Sequence, residues 1–147
     1  MCGIVGLFCK NPELELSLGP YLSAMLVQMD DRGPDSAGVA IYRDPAPDGC
    51  SKLTLYSADP AEDWQALEGC LDDLDGFYTF LVGTIDGFAV LRDPIACKPA
   101  VLAETDDWVA MASEYRAIAV LPGASEATMW EPEPSVVYAW EKEAVPA

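Results

Sequence analysis

Cys2 stands directly behind the first methionine and opens the run Cys2-Gly3-Ile4-Val5-Gly6. Removal of Met1 would put a thiol and a free α-amine on one residue. The amine titrates near ~8 and a free thiol near ~8.5, so a proton passes between them at little cost around neutral pH. A nucleophile that uses the N-terminal amine as its base is an established activation scheme. On its own, the cysteine has a plainer reading as one more buried thiol, since free cysteine is among the most buried residue types. The surrounding residues argue against two other readings. No basic region precedes the apolar run Ile4 to Cys9, which is short and followed by Lys10, so a secretory leader is not expected. Myristoylation would need glycine at position 2.

A second segment, Asp31-Arg32-Gly33-Pro34-Asp35-Ser36-Ala37-Gly38, follows a helical pattern and leads into a strand-like stretch. MCGIVG and DRGPDSAG together resemble the class II glutamine amidotransferases, N-terminal-nucleophile hydrolases that release ammonia from glutamine. RDPIACKPA (Arg92 to Ala100) is similar to a late strand-turn-strand of that family, and ASEYRAI (Ala112 to Ile118) to its closing element. The stretch from Leu74 to Ala100 and the EPEP of Glu131 to Pro134 resemble one subgroup, the stand-alone amidotransferase subunit of split glutamate synthase-like and N-methylglutamate synthase-like systems. The resemblance implies Cys2 as nucleophile and Arg32 and Gly33 as residues beside it that bind substrate. It implies glutamine as substrate and neither cofactor nor metal. A separate synthase-type subunit would use the ammonia, or the chain would form a homo-oligomer. The implied fold is α+β, a four-layer αββα sandwich with mainly antiparallel sheets.

The chain departs from that family's pattern in its middle. It has no histidine, and its only asparagine is Asn11. The family carries a His-Thr-Arg segment whose arginine holds the substrate carboxylate, an Asn-Gly pair that forms the oxyanion hole, and an acid that reads the substrate amine. Here KLTLYSADP passes directly to DWQALEGCLDDLDG. An abridged version of the fold is therefore expected, a single domain over residues 1–147 with a deletion seam near 57–64. Loss of one oxyanion donor costs about 10²–10³ in rate. A catalytic glutaminase subunit and a degenerate, non-catalytic subunit that keeps the fold for assembly both remain open on the sequence.

Other charged residues have ordinary readings. Arg92, Asp93 and Lys98 sit in a turn rich in proline and charge and are read as structural. Ser113 and Glu114 are read as a cap on a short helix. The formal charge of −17 opposes binding to nucleic acid, which depends on basic residues neutralising phosphates, and to anionic membranes. No apolar run approaches the ~20 residues needed to span a bilayer. Five cysteines without a C-x-x-C pair and without histidine make a metal site improbable; reduced thiols in the cytoplasm are expected.

The elements that must hold these residues follow from periodicity. Ile4 to Cys9 reads as a strand, broken at Asn11-Pro12. Pro20 to about Arg32 reads as a helix, with Pro20 at its first position and an apolar face of Leu22, Met25, Leu26 and Met29. Asp30 and Asp31 at its end oppose the helix dipole. Val39 to Tyr42 and Leu53 to Ser57 are strand-like. A capped helix begins at Asp59, with Trp64, Leu67, Leu71 and Leu74 buried. The second half reads as β-rich: Phe77 to Gly83 and Phe88 to Arg92 around Asp86-Gly87, then Val101 to Glu104 and Trp108 to Ala112 around Asp106-Asp107. A short helix after Ser113 and a last strand from Ser135 to Trp140 complete the expectation.

Overall fold

The computed structural model describes residues 3–32, 75–84 and 87–142. The strands are β1 (Val5–Cys9), β2 (Thr79–Gly83), β3 (Gly87–Arg92), β4 (Val101–Glu104), β5 (Trp108–Ala112), β6 (Thr128–Trp130) and β7 (Val137–Glu141). The helices are α1 (Pro12–Glu15), α2 (Leu18–Val27) and α3 (Tyr115–Ile118), with single 3-10 turns at Asp30–Arg32 and Ala124–Glu126. The fold is mixed α and β with two antiparallel sheets. One has the order β1-β5-β4-β6 and the other β2-β3-β7.

Alternation along β5 explains how the layers stack. Trp108, Ala110 and Ala112 point to one face, and Val109 and Met111 to the other, so all five residues are buried. On the first face, alanines at 103, 110 and 112 leave room for Met25 and Met29 of the α2 region, and for Ala117 and Ile118 of α3. Small residues on the sheet leave space that long flexible ones on the helix can fill. On the second face, Phe8, Leu102, Val109 and Met111 meet Phe88 and Val90 of the other sheet, with Leu81, Tyr138 and Trp140 at the margin. The order is thus helices, sheet, sheet.

Two glycines permit these contacts. A Cβ on Gly6 would come within 2.9 Å of Leu81 Cδ1 and 3.1 Å of Phe88 Cζ, so β1 can lie against the second sheet only without a side chain there. A Cβ on Gly3 would lie 3.1 Å from Met29 Cβ and 3.3 Å from Arg32 Cβ.

Several expectations need correction. The single helix from Pro20 to Arg32 is instead α2, ending at Val27, followed by a separate 3-10 turn at Asp30–Arg32. Pro20 is the third helical residue rather than the first. The first N–H groups of a helix bond to nothing within it, and the earliest bond here runs from Tyr21 N to Ser17 O (3.1 Å). Asn11-Pro12 ends β1 but also starts α1, with Asn11 Oδ1 accepting from Glu13 N at 2.9 Å. β2 begins at Thr79, not Phe77, because Tyr78 N donates to the Asp93 carboxylate (3.1 Å). β7 begins at Val137, since Ser135 has a φ of 57° and donates its N–H to Arg92 O. The strand β6 was not expected at all. The strands at 39–42 and 53–57, the helix carrying Trp64, Leu67, Leu71 and Leu74, and the seam at 57–64 lie outside the described residues.

Candidate functional site

The N-terminal end of β1 is held by residues far away in sequence. β1 pairs with β5 in the register Val5 to Ala112, so the chain leaving β5 passes beside the residues that precede β1. Ser113 then grips Ile4 twice. Its Oγ accepts from Ile4 N at 3.1 Å, and its own N–H donates to Ile4 O at 2.9 Å. One residue further out, Gly3 lies against Met29 and Arg32.

Arg32 closes the turn that follows α2 and is largely buried, its side chain 14% exposed. Its Nη1 donates to Glu114 Oε1, while its Nε is buried and meets no acceptor among the described residues. Glu114 is shared: its Oε2 lies 2.8 Å from Arg116 Nε. Arg116 in turn pairs with Asp31. The hydrogen bond to Asp31, first, and the nearby carboxylates hold the Arg116 guanidinium above its ordinary titration range. The result is a chain of alternating charges, Asp31-Arg116-Glu114-Arg32, that ties the end of the α2 segment to the start of α3. The two acids that oppose the helix dipole are thereby explained in part. Asp31 no longer belongs to a helix end and has a cationic partner.

Of the site residues expected from sequence, Arg32 is therefore placed beside Gly3, the neighbour of Cys2. Cys2 and Gly33 lie outside the described residues. Ser113 and Glu114 differ from their expected role. Glu114 occupies the N-cap position of α3 but its side chain makes no capping bond; it is drawn to the two arginines. Ser113 is committed to Ile4. Neither partnership has a local sequence signal, being separated by 82 and 109 positions.

Arg92 and Asp93 serve the loop that follows β3. Arg92 is 2% exposed. It donates through Nη1 to Glu131 (3.0 Å) and Pro132 O (2.9 Å), and through Nη2 to Ala96 O (2.5 Å) and Lys98 O (2.6 Å). Asp93, fully buried, accepts from the backbone N–H groups of Tyr78, Ile95 and Ala96. Both side chains hold this loop, including Ala96 at a φ of 51°, and Arg92 Nε is buried without an acceptor among the described residues. The Lys98 side chain is exposed and contributes only its carbonyl.

The one asparagine is committed elsewhere. Asn11 lies beyond the opposite end of β1, with Nδ2 donating to Asp107 Oδ1 at 2.9 Å and Oδ1 occupied by Glu13 N. That same end carries a half-open cleft of about 570 Å³. Glu104, Asp106, Asp107 and Glu126 line it, and its lysine, Lys10, is paired with Glu104. A substrate bearing a carboxylate would meet repulsion there, so the residues around Gly3 are the better candidate. Among the described residues, no group of three or more histidine, cysteine, aspartate or glutamate side chains lies together in a way that would hold a metal. No helix among them is long and apolar enough to cross a membrane.

Comparison with known proteins gives these residues a setting. The chain is similar to glutamine amidotransferase-like proteins. It is 61% identical over 89 residues to the glutamine amidotransferase-like protein GlxB of Rhizobium meliloti, a match that covers 60% of this chain and 30% of that protein. A protein of Methanothermobacter thermautotrophicus described as a "putative glutamine amidotransferase" is 34% identical over 74 residues, covering 50% of this chain and 24% of its own. The matched part is thus less than a third of either relative's length. No family model matches the chain. Among solved structures, the glutamine phosphoribosylpyrophosphate amidotransferase of Bacillus subtilis aligns over 96% of this chain and 27% of its own, at 20% identity and a TM-score of 0.47. A likeness at that level carries no argument.

Proposed function

We propose that the chain is a class II glutamine amidotransferase-type subunit that hydrolyses glutamine at Cys2 and supplies ammonia to a separate glutamate synthase-like partner. The observation that carries this reading is the 61% identity over 89 residues with a glutamine amidotransferase-like protein. The grip of Ser113 on Ile4 and the contact of Gly3 with Arg32 support it, because a terminal nucleophile needs a fixed terminus.

In this reading Met1 is removed and the α-amine of Cys2 takes the thiol proton. The thiolate attacks the side-chain amide carbon of glutamine. The resulting tetrahedral oxyanion collapses as the protonated amine returns its proton to the departing ammonia. Water then hydrolyses the thioester to glutamate. In the same reading Arg32 and Gly33 bind the substrate beside the nucleophile. The four-layer arrangement belongs to the same reading, and the burial of β3 along its whole length, on both faces, supports a layer outside the second sheet. A cytoplasmic location, where the thiol stays reduced, belongs to the same reading.

A second reading has its own observation. The lone asparagine caps α1 and pairs with Asp107 at the far end of β1, so it is not available as an oxyanion donor near Gly3. With no histidine and no second asparagine in the chain, a non-catalytic subunit that retains the fold for assembly is the alternative. A sensitive glutaminase assay with a Cys2→Ala control separates the two. The purified chain alone is expected to release little or no ammonia, since the electrostatic term for the oxyanion is usually the largest in such reactions. Robust turnover abolished by Cys2→Ala would show that backbone N–H groups or other side chains fill that role. Turnover that appears only with a partner subunit would show that assembly completes the site.

A further inference from the structure

We infer that Ser113 and Glu114 are positioning residues for the N-terminal nucleophile, Ser113 by fixing the strand that carries the terminus and Glu114 by fixing Arg32 against it. The inference rests on the reading of Cys2 as nucleophile and adds two residues to it.

The geometry divides the task between two neighbouring residues. Ser113 satisfies both backbone groups of Ile4, at 3.1 Å and 2.9 Å. A residue held by donor and acceptor together cannot rotate its peptide planes independently, so the chain at Gly3 enters the strand in a defined direction. Among the described residues β1 receives ladder bonds from β5 alone, and the grip of Ser113 adds to them at its start. Glu114 acts through charge. It sits between Arg32 and Arg116, and Asp31 completes the group, so two cations and two anions balance. A Cβ on Gly3 would lie 3.3 Å from the Cβ of Arg32, so the residue that holds this balanced group lies beside the sequence neighbour of Cys2. Without the Glu114 charge, two arginines would face one aspartate. Nearby positive charge favours a thiolate over a thiol.

The test reads the thiol itself and needs no turnover. The full chain is treated with iodoacetamide across a pH series, and the rates at Cys2 and at exposed Cys97 are followed separately by peptide mass spectrometry. Hydrogen exchange at the Ile4 amide is measured in parallel. In Glu114→Gln the pH midpoint of Cys2 should fall while that of Cys97 stays in place. In Ser113→Ala, Ile4 exchange should rise by about tenfold, the worth of one hydrogen bond, and the Cys2 profile should move toward that of Cys97. Ser113→Thr should restore both. If Ser113→Ala does not fold, Glu114→Gln carries the test, because its side chain is partly exposed at 32% and the change is nearly isosteric. A wild-type Cys2 that differs from Cys97 but is unmoved by either variant overturns the positioning roles and leaves the nucleophile standing. A wild-type Cys2 that titrates like Cys97, or a chain that keeps Met1, overturns the nucleophile reading and this inference with it.

Discussion

Cys9 shows how one residue type takes different roles within a few positions of the chain. It ends β1, opposite Trp108, and is buried. Burial, then the carboxylate of Glu15, pushes its thiol above the ordinary value of 9.0, with Lys142 opposing the shift. A thiol so placed is inert at neutral pH. The shift has a consequence for stability. In the unfolded chain the thiol ionises at its ordinary value, while the folded state holds the proton. Its contribution is therefore complete below that value and is lost as pH rises from about 9 through the raised value. Denaturation midpoints measured at pH 7 and pH 10 should fall more steeply for the wild type than for Cys9→Val. Equal falls would show that Cys9 ionises alike in both states. Arg92 and Asp93 make a related point. Their types and their place in a turn identified them as structural from sequence, but not the four acceptors and three donors that occupy them. Arg32, Glu114 and Ser113 were legible only as types, because the partnerships that give them meaning cross most of the chain.

At the scale of elements, the second half was readable because each strand is short, alternates, and is bounded by turn residues. The pair Val101–Glu104 and Trp108–Ala112 around Asp106-Asp107 is the clearest case, matching the expected ranges. The reading failed where the local signal was ambiguous. Apolar periodicity from Leu22 to Met29 continues past the true end of α2, because Met29 stays buried after the helix has changed to a turn. β6 has three residues in a stretch rich in proline and acid, and it forms only because β4 offers an edge. The glycines of the opening motif acquire a structural reason that sequence alone did not supply. A side chain at Gly6 would run into Leu81 and Phe88 of the second sheet. Gly6→Ala should lower stability by about 1–3 kcal/mol, the usual cost of overpacking, read as a shift of the denaturant midpoint. A variant with an unchanged midpoint would mean that Leu81 and Phe88 move aside freely.

At the scale of the whole molecule, acidity and exposed apolar residues act in opposite directions. The charge of −17 keeps copies of the chain apart. Yet Phe77, Phe80 and Ile95 are 58%, 40% and 68% exposed, and among the described residues β2 is an outer strand of the second sheet. Edges and apolar patches of this kind are usually covered in the working state. A stable complex with a synthase-type partner, or a homo-oligomer, is the expected state. Light scattering on dilute purified chain tests this, and a well-behaved compact monomer would defeat it. Salt sharpens the comparison: self-association should strengthen as screening weakens the repulsion between copies, whereas an attraction to a basic partner should weaken.

The grip on Ile4 also sets an order of events during synthesis. β1 is made well before β5, its one ladder partner among the described residues, and before its clasp Ser113, more than a hundred residues later. At about 5–20 residues per second, translation needs several seconds to reach them. Throughout that interval neither the ladder to β5 nor the clasp exists, and the backbone groups they satisfy are left to water or to other partners. By topology alone, the pairing with β5 is a late event for the strand that lies earliest among those described.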